Sequence, residues 1–322
     1  MNAGNIENKG IELQLYGNIF TSKSGDFTWD MTVNWAMNRN KVVELTGDLT
    51  TYQLASVQGG ITIEASVGES YGVIKGRNYV YHTNGEPIVY AHPFGGVRYC
   101  RTAEPEIIGN MLPDWTGGIT NTFGYKNLTV SALIDIQKGG NFFSLDTWYG
   151  YGTGVYDFQA GTNANGNPIR TYVEDGGGMT WADVQASNPH IETPILWDGA
   201  TVDGDGNPVG SGSPDANLMM YMNGYGNTLG WALAPNELHV YDASFVKLRE
   251  VAVTYQVPTS QLGDLPVAGV DVSLVGRNLA ILYKNSPYSD PEAGLTAGNV
   301  QGYQSGAYPT LREVGLNLRV KF

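Results

Sequence analysis

From residue 27 to residue 37 every odd position carries a large apolar side chain, and nearly every even position a polar one. Phe27, Trp29, Met31, Val33, Trp35 and Met37 alternate with Thr28, Asp30, Thr32 and Asn34. A period of two marks a strand with one apolar and one polar face. The same alternation runs through 10–20, 115–126, 128–138, 268–280 and 310–322, and through 241–256 with a slip around Lys247 to Glu250 that predicts a bulge. Seven strands are expected, most of 11 residues or more. Eleven residues rise about 36 Å, and a tilt near 45° reduces this to about 25 Å, the height of the apolar band of an outer-membrane barrel. Strands of soluble proteins average only about 5–6 residues.

The connections sharpen this reading. They span 21–25, 39–114, 126–127, 139–240, 257–267 and 281–309, alternately short and long. Transmembrane barrels have short turns on one side and long loops on the other, whereas a sandwich has no reason to gather its long loops at one end. The expected fold is therefore all-β: an antiparallel transmembrane barrel segment of about 7–9 long strands. The long outer loops are 39–114, 139–240 and 281–309. Ile61–Glu69 and Pro87–Tyr90 are the places where extra strands would lie.

Composition removes competing classes. Charged residues are 15% of the chain, against about 25% in typical soluble proteins, which disfavours a packed soluble enzyme. A net charge of −13 leaves no cationic surface for nucleic acid. A single cysteine, Cys100, cannot form an internal disulfide. Residues 1–322 are read as one barrel portion; Met1-Asn2-Ala3-Gly4 shows no export signal. No run of about 18 apolar residues exists for a spanning helix.

Few motifs carry chemistry. Asp203, Asp205 and Asn207 place oxygen ligands at alternate positions, as at the start of a calcium loop, but Pro214 stands where an EF-hand needs glutamate. Calcium is thus a weak expectation, and no other cofactor is expected. Gly150, Gly152 and Gly154 read as a flexible loop rather than a phosphate cradle. The four histidines are scattered, and no nucleophile motif occurs, so no enzymatic activity is expected. Among the loop aromatics, Trp148, Tyr151, Trp181, Trp197 and Tyr225 are the candidates for stacking on a sugar or peptide, against the alternative that they pack among themselves or sit at a membrane interface.

Several segments together resemble a known family. They are Asn5-Ile6-Glu7-Asn8-Lys9-Gly10-Ile11-Glu12-Leu13, Asp26-Phe27-Thr28-Trp29, Asn38-Arg39-Asn40-Lys41-Val42, Tyr241 to Val251, Gly276-Arg277-Asn278-Leu279, Ser289-Asp290-Pro291-Glu292, and Arg312 to Leu318 with the closing Phe322. In this order they resemble the C-terminal barrel portion of SusC/RagA-type TonB-dependent transporters. The resemblance implies a 22-stranded plugged barrel in the outer membrane of Bacteroidetes-like bacteria. It implies import of oligosaccharides or peptides, a SusD-like surface lipoprotein as partner, and energy from TonB. The plug domain, TonB box and early strands of that family have no counterpart here, so TonB would act through a missing N-terminal part. The other readings are a soluble β-rich carbohydrate-binding or hydrolytic protein and another outer-membrane porin or adhesin fragment.

Overall fold

The structure, a computed structural model, describes residues 4–82, 85–91, 96–191, 195–202, 208–224, 227–263, 266–294 and 298–322. Seven long strands form one antiparallel sheet in strict chain order: Gly4–Thr21, Phe27–Leu45, Trp115–Tyr125, Leu128–Lys138, Phe245–Val257, Gly269–Lys284 and Glu313–Lys321. Because each strand pairs antiparallel with the next, all short connections emerge at one end and all long ones at the other. The first and seventh strands each carry a single ladder among the described residues. No helix is long and apolar enough to cross a membrane, which says nothing of strands.

The register keeps one apolar and one polar face across the whole sheet. Trp29, Phe123, Val130, Val253, Leu274 and Leu316 form one cross-strand row, and Leu15, Val33, Ile119, Ile134 and Leu248 another. On the opposite face lie Thr28, Gly124, Thr129, Thr254, Ser273 and Asn317, and also Gln14, Asn34, Gly118, Asp135 and Lys247. Directly opposed side chains of like character are the unit of sheet stabilisation. Trp29 stacks on Phe123 with centroids 5.8 Å apart. Three ion pairs lace the polar face across neighbouring strands: Asp135 with Arg249, Glu250 with Arg277 (2.9 Å), and Asp271 with Lys321 (3.0 Å).

The slip in the fifth strand is a bulge at Arg249. Its register shifts between Leu248 and Glu250 against the sixth strand, and opposite Leu133/Ile134 on the fourth. The extra residue lets the adjacent Arg249 and Glu250 both reach the polar face, where they pair with Asp135 and Arg277. The second strand runs to Leu45, past the alternating stretch, because Arg39 to Leu45 continue the ladder with Gly4 to Lys9. The first long connection therefore begins at 46, not 39. The sixth strand likewise continues to Lys284, and the seventh starts at Glu313.

The long connections build a canopy with its own cores above one end of the sheet. Ile61–Ser66 and Ile88–Ala91 are strands, as the sequence suggested, but they join two smaller sheets and not the long one. One core holds Val89, Tyr99, Tyr151, Trp181, Met220 and Leu229; a second holds Ile61, Ile63, Ile74, Phe143, Leu145 and Tyr303. The second core draws on all three long connections, so they fold as one body.

Gly150 and Gly152 are not in a flexible loop. They lie in the helix Leu145–Thr153, capped by the Ser144 side chain at its start and by Gly154 (φ 69°) at its end. A Cβ at Gly150 would sit 2.4 Å from the Tyr156 ring, and one at Gly152 2.7 Å from Trp231. Close approach of aromatic neighbours explains these glycines.

Candidate functional site

The canopy meets the polar face at the rim of the fifth strand. Lys247 is almost fully buried, and its Nζ bonds Asp290 Oδ1 at 2.5 Å and also Glu292. Arg249 donates to Asp135 and, at 2.8 Å, to Glu292 Oε1. Asp290 further accepts from the Thr310 hydroxyl and from the Glu292 backbone N–H. Burial pushes the Asp290 carboxyl up, but hydrogen bonds from Lys247 and Thr310 outweigh burial and hold it at about 2. Asp290, Glu292 and Thr310 are thereby anchored over the polar face near the end of the sheet.

Beyond this anchor the same segment docks on the canopy. Tyr303–Gln304 pairs parallel with Phe143–Ser144, and the buried Ser144 hydroxyl donates to Gln304 Oε1 at 2.6 Å. Between anchor and dock, Pro291, Glu292, Gly294 and Gln301 roof a cavity of about 390 Å³ whose floor includes Gln137, Asn141 and Phe142. A larger, open groove of about 690 Å³ lies along the polar face below, between Glu12, Gln14, Asn34, Thr116 and the Asp135–Arg249 pair. The arrangement offers hydrogen-bonding groups and paired charges along one continuous wall. Among the described residues no cluster of three or more His, Cys, Asp or Glu is placed to hold a metal.

No family model matches the chain. The chain is 26% identical over 341 residues to TonB-dependent receptor P26 of Formosa agariphila, and 25% identical over 345 residues to TonB-dependent receptor P3 of the same organism. Each alignment covers the whole chain and, respectively, 30% and 29% of the relative, so the chain spans about a third of the length of these curated relatives. The fold is similar to that of the RagAB peptide importer in its closed-closed state, with a TM-score of 0.57 at 18% identity, covering 100% of this chain and 30% of that one. The open-open state gives 0.56 at 18% identity, with 99% and 29% covered. Over its whole length the chain is thus similar to part of proteins named TonB-dependent receptors, and its fold is similar to that of part of the RagAB importer. The all-β fold, an antiparallel barrel segment of about 7–9 long strands, is met with seven.

Three of the aromatic residues singled out for stacking, Trp148, Tyr151 and Trp181, pack within the canopy. Tyr151 is fully buried, 5.5 Å from Phe158 in edge contact, and accepts a hydrogen bond from Asn188 Nδ2 at 2.8 Å. Trp181 is 1% exposed and edge-on to Tyr99. Trp148 packs against the core around Phe143 and lies edge-on to Tyr149. Tyr151 and Trp181 therefore present no free face to a ligand, and Trp148 is half-buried in packing. Long connections this rich in apolar groups must bury them, and aromatic rings contribute the largest areas. Trp197 lies on the strand Ile195–Val202. Tyr225 and the calcium-type residues Asp203, Asp205 and Asn207 lie outside the described residues.

What the sequence reading missed is the charged rim. Lys247 and Arg249 stood at the slip in the alternation, and Asp290 and Glu292 in one of the family-like segments. Nothing in the sequence joined them across more than 40 residues. Two further buried groups carry no site. Cys100 is 1% exposed, and burial pushes its thiol up to about 12. His239 is fully buried with Nδ1 at 3.1 Å from Thr147 Oγ1, and desolvation brings its imidazole down to about 3, so it stays neutral.

Proposed function

We propose that the chain forms part of an outer-membrane importer whose apolar sheet face meets lipid and whose polar face lines the lumen. Its canopy receives nutrient oligomers at the cell surface. The observation that carries this reading is the unbroken two-faced register of seven long strands with every long connection at one end. Alignment of the whole chain to about 30% of the length of TonB-dependent receptors supports it. In this reading the long connections are extracellular, a SusD-like lipoprotein closes over them, and TonB supplies the energy through parts of the receptor that relatives possess beyond the stretch matched here. In this reading the chain moves its cargo unchanged, in keeping with relatives named as receptors.

The structural neighbours carry the words peptide importer in their names, which favours oligopeptides over oligosaccharides as cargo. Uptake of labelled oligopeptides and labelled oligosaccharides by cells with and without the receptor gene, and with and without a functional TonB, tests the proposal. Uptake of one class that requires both genes is the expected result; uptake indifferent to TonB would overturn it. Membrane fractionation should place the chain with the outer membrane, and co-purification should recover a surface lipoprotein.

A further inference from the structure

We infer that the cavity roofed by Pro291, Glu292, Gly294 and Gln301 is a subsite for one uncharged peptide unit of the cargo, an inference that rests on the import reading above. Its volume of about 390 Å³ falls within the range of roughly 300–1,000 Å³ typical of ligand pockets. The side chains that face it are matched to an amide. Gln137 commits its Nε2 to the Ala243 carbonyl at 3.2 Å, leaving its oxygen without a partner among the described residues. Asn141 does the converse: its oxygen accepts from the Asn110 backbone N–H at 3.1 Å, leaving its NH₂ group without one. A peptide group needs one acceptor for its N–H and one donor for its C=O, and these two residues supply one of each. Gln301 adds a carboxamide from the roof.

Charge and shape narrow the class further. The one carboxylate among the described lining residues, Glu292, is satisfied by Lys247 and Arg249, so these residues present no unpaired charge to attract an ammonium or a carboxylate. The one aromatic ring among the described lining residues, Phe142, is 4% exposed and packed against Tyr241, so it offers a sugar ring no face on which to stack. Lys247 acts here as a positioning residue, because its bonds to Asp290 and Glu292 set the height of the roof.

Calorimetry on the intact receptor in detergent, with acetyl-trialanine amide as the peptide probe and maltotriose as the sugar probe, tests the inference. The peptide should bind and maltotriose should not. The double substitution Gln137→Ala with Asn141→Ala should weaken the peptide about tenfold or more, as expected for two lost hydrogen bonds. Gln301→Ala, whose side chain touches no described partner, serves if the double variant fails to assemble, and should weaken binding a few-fold. Peptide affinity unchanged in the variants that assemble would overturn the subsite, as would maltotriose binding in place of the peptide or no binding of either probe. TonB-dependent uptake decides the import reading separately, so the two failures are distinguishable.

Discussion

Lys247 holds two carboxylates against a wall of backbone, and its own ammonium is nearly sealed from water. Removing one partner of a buried ion pair leaves the other uncompensated, typically at about 3–5 kcal/mol. Lys247→Met should therefore loosen residues 285–312 by an amount of that order, seen as proteolysis in this segment at a temperature where the parent receptor resists. Asp290 makes the same anchor sensitive to acid. Its folded pKa of about 2 lies below the ordinary 3.8, so its stabilising contribution is complete above about pH 4 and is lost as pH falls through 2. Acid titration of the same protease sensitivity should show a transition in that window, and Asp290→Asn should remove it. A transition that persists in Asp290→Asn would assign it to another group.

Among the elements, the seventh strand offers the sharpest test of facing. Leu318 lies in register with Val272 and Tyr255 on the apolar face, and Asn317 with Ser273 and Thr254 on the polar one. If the apolar face meets lipid, Leu318→Arg at mid-bilayer depth should cost roughly 2–4 kcal/mol and Asn317→Arg much less. Folded yield in outer membranes measures the difference, and equal yields would reverse the facing. The strands were legible because a face must be wholly apolar or wholly polar to lie between lipid and water, and that demand is written residue by residue. Their upper ends were not, since Asn38 to Lys41 are polar on both faces once the ladder rises above the apolar band. The helix Leu145–Thr153 was hidden for another reason: glycine is a poor helix former, and its use at 150 and 152 answers to Tyr156 and Trp231, which are distant or unmarked in sequence. The charged rim was hidden because its partners meet only through the path of a long connection. The burial of Tyr151 and Trp181 was hidden because stacking on a ligand and stacking on a neighbour have the same composition.

At the level of the whole molecule, sidedness can be read with single thiols. The native Cys100 is buried, so its background should be low. In intact cells Asn165→Cys, exposed in the canopy, should react with an impermeant maleimide, whereas Lys23→Cys, exposed in the first short turn, should react only after the outer membrane is opened. Equal labelling of both would invalidate the topology. The two strands that carry only one ladder have a consequence of their own. Gly4–Thr21 and Glu313–Lys321 present rows of N–H and C=O groups at opposite margins of the sheet, and in hydrocarbon each unmatched group costs several kcal/mol. Each margin is thus a template with a reading frame. Any strand that docks there must bring its apolar residues onto the face shared by Leu13 and Leu318, because a slip of one position would turn its whole apolar set toward water. A neighbouring strand is selected by the phase of its alternation before any side chain on it is recognised.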